Sequence, residues 1–190
     1  MIKEQFFPTI VYGFDVKLDN DKLAQNIITW SNQDKGLQKT NVQGWHSPTD
    51  MQTKPEYKPL VDQLFLAMRQ VWDDQHLDRE AKLGNMWANI NPPGGYNNSH
   101  IHPNSLFSGV YYIKTPPKSG RLQLMDPRTG GQQCMPARKK GKIPPELWRE
   151  IFCEAIPGRM IMFPAWMWHK VETNQSNDIR ISVSFNFIIR

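Results

Sequence analysis

From Met86 onward, the chain consists of short runs in which apolar and polar residues alternate, separated by clusters of glycine, proline, asparagine and aspartate. A period of two residues is typical of β-strands, whose successive side chains point to opposite faces of a sheet. Many short strands joined by turns favour a sandwich or a barrel. The runs that predict strands are 86–91, 106–113, 121–125, 159–163, 168–173 and 179–188.

The first 80 residues predict one strand and two helices. Residues 6–14 are aromatic and β-branched, and Pro8 restricts them to the edge of a sheet. Asp19 or Asn20 can cap a helix that continues to Trp30. Apolar residues at steps of three and four predict a second helix over about 59–76. Helices followed by many strands indicate a mainly β fold with helices packed outside it.

The length of 190 residues predicts a single domain. Within it, 1–80 would supply the N-terminal strand and supporting helices, and 86–190 the β core. Residues 127–157 interrupt that core as a long insertion. The insertion carries a basic run at 138–142 and predicts a short helix over 145–153, with proline at its start.

The charge and the cysteine content limit the class of protein. A net charge of +5 permits an anionic partner without requiring one. The basic run 138–142 is most simply a solvated loop; a lid over a site and a nucleic-acid contact are the alternatives, the latter a minor one. Two cysteines are too few for a disulfide scaffold. With no signal peptide and no apolar run of membrane-spanning length, we expect a soluble cytoplasmic protein without membrane contact.

Three of the five histidines suggest a metal site. His100 and His102 are two residues apart, so their side chains share a face if the segment is extended, and Pro103 favours extended backbone before it. Such a pair is half of a typical metal site, and His169, which follows a strand and a proline turn, is the natural third ligand. His46 and His76 stand among polar residues and are predicted to be solvated.

The last strand carries a second candidate feature. Positions 180, 182, 184 and 186 are polar and the residues between them apolar, so one face presents a guanidinium, two hydroxyls and an amide. Arg180 beside hydroxyls suits a carboxylate ligand, because its planar fork can bond both oxygens. The simpler interpretation of this alternation is one solvated face and one buried face.

A histidine pair, a third histidine and an arginine follow one another along the chain in this order. The same order of residue types is found in the 2-oxoglutarate/Fe(II)-dependent oxygenases, which this chain resembles. The likeness extends over nearly the whole chain and is strongest to a small branch with a His-x-His-Pro segment and a Ser-Gly-Val-Tyr-Tyr strand. Here these are residues 100–103 and 108–112, with further likeness at 7–9 and 120–128. The resemblance implies a double-stranded β-helix, the jelly-roll of cupin-like barrels.

The resemblance also implies roles for individual residues. His100, His102 and His169 would hold Fe(II), and Arg180 would bind the distal carboxylate of 2-oxoglutarate. Tyr112 and Ser182 would lie near that carboxylate. The implied activity is hydroxylation of an unidentified substrate, with O2 consumed and succinate and CO2 released.

Two departures from the family pattern leave alternatives open. Position 102 is histidine where the usual ligand set has aspartate, so a carboxylate from elsewhere, such as Asp126, is an alternative third ligand. Asn186 stands where the nucleic-acid demethylases of the superfamily have a second arginine, which argues against a base-repair role.

The alternative class is a cupin-type three-histidine metalloprotein that does not use 2-oxoglutarate. Gly94 followed by the histidine pair resembles the first cupin motif, and Gly158, Pro164 and His169 resemble the second. The expected glutamate of the first motif is missing.

Overall fold

The computed structural model describes residues 1–189. The helices are α1 (Asn20–Gln33), α2 (Lys58–Asp74) and the short α3 (Thr129–Gln133), with 3-10 turns at Met51–Thr53, Pro55–Tyr57 and Pro145–Leu147. The strands are β1 (Tyr12–Asp15), β2 (Asn41–Val42), β3 (Trp45–His46), β4 (Ala81–Asn91), β5 (Tyr96–His100), β6 (Phe107–Lys114), β7 (Leu122–Met125), β8 (Glu150–Cys153), β9 (Arg159–Pro164), β10 (His169–Val171) and β11 (Arg180–Ile189).

The strands form two antiparallel sheets. The larger sheet has the order β1-β9-β6-β11-β4-β3, and the smaller sheet has the order β2-β5-β10-β7-β8. The main apolar core lies between the larger sheet and helices α1 and α2, where Ile27 and Leu64 pack with Val183 and Phe185. A smaller core, which includes Tyr112 and Leu124, joins the inner face of the larger sheet to the smaller sheet. This arrangement confirms the predicted mainly β fold with helices outside it.

Both long helices of the sequence prediction are confirmed. The Asp19 side chain caps α1 by accepting a hydrogen bond of 3.0 Å from the backbone N–H of Lys22. Helix α2 buries residues at steps of three and four, among them Leu60, Leu64 and Val71. None of the helices that the structure describes is long and apolar enough to cross a membrane.

Several strand boundaries differ from the prediction. Residues 6–10 are exposed and do not pair with either sheet, so the first strand is only Tyr12–Asp15. Strand β4 begins at Ala81 instead of Met86, and the polar strand β5 was not predicted. Its residues pair with β2 and β10, which shows that partner strands decided its conformation.

The helix predicted over 145–153 is wrong. Residues Pro145–Leu147 form a single 3-10 turn, and Glu150–Cys153 form β8. Ile151 and Cys153 point inward against the smaller core, while β8 pairs with β7 along its whole length. Pairing with an open sheet edge thus outweighed the local helix pattern.

Strand β11 confirms the predicted alternation. It lies between β4 and β6, and its apolar residues face the main core and the helices. Its polar positions, Arg180, Ser182, Ser184 and Asn186, all face a cavity between the two sheets. The solvated-face interpretation is therefore wrong, since Arg180, Ser182 and Asn186 are buried.

Candidate metal centre and adjoining cavity

The three candidate histidines meet between the sheets. His100 ends β5 and His169 begins β10, and the two residues are paired in register across these strands. His102 follows β5, and its backbone N–H donates a hydrogen bond of 3.0 Å to the carbonyl of Ala165. One ring nitrogen from each histidine lies within 4.8 Å of the other two. We call this group the histidine cluster.

Hydrogen bonds set the proton positions on two of the rings. Nδ1 of His100 lies 2.8 Å from the carbonyl oxygen of Asn98, and Nδ1 of His169 lies 2.9 Å from that of Met167. A carbonyl oxygen only accepts, so each Nδ1 carries the hydrogen and each Nε2 retains its lone pair. This arrangement is usual for metal-binding histidines, whose second nitrogen is held by a carbonyl or carboxylate.

Burial keeps the histidine cluster uncharged. Desolvation, reinforced by repulsion from the neighbouring rings, lowers the pKa of His102 to about 3 and that of His169 to about 4. Desolvation also lowers the pKa of His100. Three neutral imidazoles suit iron, zinc, copper or nickel, so the chemistry of the donor set fits a transition metal.

Within residues 1–189, the cluster contains no carboxylate. Asp126, the predicted alternative ligand, forms an ion pair with Arg128, at 2.9 Å between Oδ1 and Nε. It lines a separate depression together with the N-terminal segment and residues 145–151. The geometry therefore favours His102 over Asp126 as the third donor.

These lowered pKa values predict a specific acid sensitivity of the metal-free protein. Between about pH 6.5 and pH 4, the unfolded chain takes up protons on these histidines while the folded chain does not. Stability should therefore fall as the pH falls, by at most about 1.4 kcal/mol per pH unit for each histidine. Denaturant unfolding at pH 7.5 and pH 5 measures this slope. His102→Gln should reduce the slope; a slope equal to that of the wild type would contradict the prediction.

The histidine cluster opens into a cavity of about 360 Å³, which we call the central cavity. Its floor is the polar face of β11, and its apolar lining includes Val110, Leu122 and Phe163. The Phe163 ring packs against His169 at 4.8 Å between ring centres. A cavity with an apolar lining and a few converging polar groups is the usual form of a small-molecule site.

Arg180 is the main charge in the central cavity. It is 1% exposed, and its Nη1 donates to the carbonyls of Ser119 and Gly120. Nη2 is buried and has no hydrogen-bond partner among the described residues. Burial lowers the pKa of Arg180 to about 10, so the side chain remains a cation at neutral pH. A buried cation with an unused donor is stabilised by an anionic ligand.

The backbone around Arg180 depends on a glycine. Gly120 has a φ of +89°, and a Cβ at this position would lie 2.8 Å from Nη1 of Arg180. Only glycine therefore allows the 119–120 carbonyls to approach the guanidinium this closely.

Tyr112 and Ser182 line the central cavity together with Arg180. They are paired in register between β6 and β11, and both line the central cavity. Burial raises the pKa of Tyr112, while Arg180 opposes that shift, so the phenol is a neutral hydrogen-bond donor. Arg180, Tyr112 and Ser182 thus form a donor-rich end of the cavity.

His46 was not among the predicted site residues, and its predicted solvation is wrong. His46 is 5% exposed and lines the central cavity. Its ring stacks on Trp87 at 5.4 Å and 8°, and Trp87 lies 5.6 Å from the ring of His102. Strand β3 has only two residues, which is too short to show a period, so its pairing with β4 was not predictable. His76 is exposed, as predicted.

Other predicted features lie away from the cavity. Among the described residues, none of the 127–157 insertion lines it. The basic run 138–142 is mostly exposed, between α3 and the turn at Pro145. A wider depression of about 1120 Å³ lies on the far side of the Arg180 contacts and includes Lys118, Gln123 and Glu172, but none of the histidine cluster.

Comparisons with known proteins agree with this geometry. A family model described as "Putative 2OG-Fe(II) oxygenase" matches residues 85–186. That range contains the histidine cluster and the polar residues of β11. No match was found among curated protein sequences.

Three solved structures share the fold. A Pseudomonas putida prolyl-4-hydroxylase has a TM-score of 0.64 at 16% identity, covering 96% of this chain and 94% of its own. A collagen prolyl hydroxylase of Paramecium Bursaria Chlorella virus-1, in a 2OG complex, has a TM-score of 0.60 at 14% identity, with 93% and 94% covered. HygX of Streptomyces hygroscopicus, with nickel and 2-oxoglutarate bound, has a TM-score of 0.64 at 9% identity, with 94% and 82% covered. The predicted double-stranded β-helix is thereby confirmed.

Proposed function

Because the chain belongs to the 2OG-Fe(II) oxygenase family, we propose that it is a dioxygenase that hydroxylates a second substrate at the expense of 2-oxoglutarate. In this reaction one oxygen atom of O2 enters succinate as CO2 leaves the 2-oxo acid. The other oxygen atom enters a C–H bond of the second substrate as a hydroxyl group. The family accounts for Fe(II) and 2-oxoglutarate as cofactor and co-substrate.

The observation that carries the proposal is the unpartnered Nη2 of Arg180 in the same cavity as the histidine cluster. The 2-oxo acid end of 2-oxoglutarate can bind a metal, and the distal carboxylate at its other end can bind a cationic side chain. The central cavity offers a buried guanidinium and three neutral imidazoles, with no acidic side chain among its described lining residues. The donor set thus fits both members of the pair.

In the proposed arrangement, His100, His102 and His169 hold the iron through one ring nitrogen each. When bound, Fe(II) supplies the one-electron chemistry that the reaction of O2 requires. Arg180 and Tyr112 bind the distal carboxylate, with Ser182 as a third donor. Fixing that carboxylate orients the 2-oxo acid group toward the histidine cluster, which lowers the entropic barrier of the reaction.

The apolar residues have a separate role in this proposal. Val110, Leu122 and Phe163 line the same cavity as the histidine cluster and Arg180. They exclude water, which strengthens the electrostatic attraction between Arg180 and the carboxylate. The ring of Phe163 also holds the orientation of His169.

The substitution of histidine for the usual carboxylate at position 102 makes the centre more positive by one unit charge. A neutral imidazole does not offset the charge of the metal, so the dianionic co-substrate would experience a stronger attraction. This attraction supports the assignment of 2-oxoglutarate as the anion, and Arg180 on the cavity floor adds a second positive charge.

The two competing hypotheses lack a supporting observation. A cupin that does not use 2-oxoglutarate leaves the buried Nη2 of Arg180 without a role. The basic run 138–142 is exposed, as expected for a solvated loop, and contributes nothing to the cavity lining.

Turnover without a second substrate tests the proposal. Purified protein supplied with Fe(II), ascorbate and 2-oxoglutarate should slowly form succinate, one molecule for each O2 consumed, as measured by NMR and an oxygen electrode. Chelation of the iron should stop succinate formation. If neither succinate formation nor 2-oxoglutarate binding is found with iron-loaded protein, the proposal is rejected.

A further inference from the structure

One wall of the central cavity carries hydrogen-bond acceptors. It consists of His46 on β3 with Trp87 and Asn89 on β4, and we call it the acceptor wall. His46 and Asn89 are paired in register across the two strands, and each is 5% exposed. Both side chains are therefore buried, and both border the same space as the histidine cluster.

Asn89 has an unused acceptor. Its Nδ2 donates a hydrogen bond of 3.1 Å to the hydroxyl of Ser184, whereas its buried Oδ1 has no partner within the described part of the chain. A buried polar atom without a partner is unfavourable, because it has lost its hydrogen bonds to water and gained none in return. A ligand that donates a hydrogen bond to Oδ1 removes that cost.

His46 provides a second acceptor. Its Nδ1 lies 2.6 Å from the carbonyl oxygen of Ser47 and therefore carries the hydrogen. Burial lowers the pKa of His46, with a smaller contribution from Lys39, so the ring is neutral and Nε2 has a free lone pair. The stack on Trp87 fixes the orientation of the ring.

The acceptor wall does not suit 2-oxoglutarate. The dianion offers only acceptor oxygens, which neither Oδ1 of Asn89 nor a neutral Nε2 of His46 can bond. The donors Tyr112 and Arg180 suit it instead, and Tyr112 lies on β6, on the opposite side of β11 from β4 and β3. The cavity thus has a donor side and an acceptor side, which indicates two ligands of different chemistry.

The charged side chains that line the cavity further restrict the chemistry of the second ligand. Its described lining residues include Arg180 and Lys39 and no aspartate or glutamate. A cationic donor, such as an ammonium group, would be repelled by these charges and by a bound metal. The remaining donors are uncharged groups.

We propose that the acceptor wall binds the second substrate through an uncharged hydrogen-bond donor, an amide N–H or a hydroxyl, next to the histidine cluster. The identification of this ligand as the substrate that is hydroxylated rests on the proposed function. The presence of the donor-binding subsite does not, because it follows from the unpartnered Oδ1 of Asn89 and the lone pair on Nε2 of His46.

Four small probes of similar size test the proposal on the full-length, zinc-loaded protein with 2-oxoglutarate. They are N-methylacetamide, 2-propanol, acetate and methylammonium. Saturation-transfer NMR should give at least a threefold stronger response for N-methylacetamide or 2-propanol than for the two ions. The stronger of these two identifies the donor as an amide or a hydroxyl.

Two variants locate the subsite. Asn89→Leu keeps the side-chain shape without the acceptor, and His46→Phe keeps the ring stack without Nε2. Each should lower the response of the bound neutral probe by more than half, while Asn32→Leu, on the exposed surface of α1, should leave it unchanged. Circular dichroism confirms that each variant is folded.

The outcomes separate this proposal from the proposed function. A response for acetate equal to that of the neutral probes, or a neutral-probe response that both variants retain, overturns the proposal. So does a loss of 2-oxoglutarate affinity in Asn89→Leu as large as the loss of probe binding, since Asn89 would then serve 2-oxoglutarate. If the wild type binds a neutral probe but no 2-oxoglutarate, the acceptor wall stands and the proposed function fails.

Discussion

Replacement of Arg180 by methionine is expected to reduce the affinity for 2-oxoglutarate by at least about a hundredfold. Removing one partner of a buried, hydrogen-bonded charge pair costs about 2–5 kcal/mol, which corresponds to about 30-fold to a few thousandfold in affinity. Arg180 should be near the upper end, because it is 1% exposed and the described lining of its cavity includes only one other cationic side chain, the exposed Lys39. Isothermal titration of 2-oxoglutarate into the Mn(II)-loaded protein measures the loss.

Arg121→Met is the matched control for this prediction. Arg121 follows the same 119–120 segment, but it lies at the surface and is paired with Glu172 and Glu154. Its replacement should change the 2-oxoglutarate affinity by less than about threefold, as exposed ion pairs contribute little. Arg180→Met should leave Mn(II) affinity nearly unchanged, since Arg180 is not a member of the histidine cluster. Unchanged 2-oxoglutarate affinity in Arg180→Met would favour the cupin hypothesis.

Replacement of His169 by alanine is expected to lower the affinity for Fe(II) and Mn(II) by more than about a hundredfold. Even the loss of a residue that only orients a metal ligand costs about 10–100-fold. His169 is the most buried member of the cluster, with its ring 4.2 Å from that of His100 and 5.0 Å from that of His102. Metal titration in the absence of 2-oxoglutarate isolates this effect from co-substrate binding.

Three controls identify the third ligand. His102→Asp should retain metal binding, because a carboxylate is an ordinary donor for Fe(II) and Mn(II). Asp126→Asn and the exposed His76→Ala should bind metal within about twofold of the wild type. A large loss in Asp126→Asn together with normal binding in His102→Ala would show that a carboxylate completes the site instead of His102.

Some elements of secondary structure could be predicted from the local sequence alone, and others could not. Helix α2 was predictable because its apolar residues repeat over several turns, and β11 because its alternation runs over eight residues. Strands β5 and β8 were not, since β5 is polar and β8 has only four residues. Their conformations come from hydrogen bonds with partner strands that are distant in sequence.

In the candidate site, too, some residues could be predicted from the local sequence and others could not. The pair His100 and His102 was predictable from a spacing of two, and Arg180 from the polar face of its strand. His46 and Asn89 were not, because nothing in their local sequence shows that two short stretches 43 positions apart lie side by side in register. The functional interest of Asn89 lies in an acceptor left unpaired, which only atomic contacts reveal.

By itself, the sequence predicted a mainly β fold from its periods, and it marked the three histidines and the arginine as candidates through their spacings and their resemblance to the oxygenase family. Only the tertiary structure decided that one ring nitrogen from each of the three histidines lies within 4.8 Å of the other two, that Asp126 is engaged elsewhere, and that the cavity has a donor side and an acceptor side. The physical reason is that burial and hydrogen-bond satisfaction are properties of the packed sheets. A histidine, an asparagine or an arginine has no unpaired atom until its neighbours in space are in place.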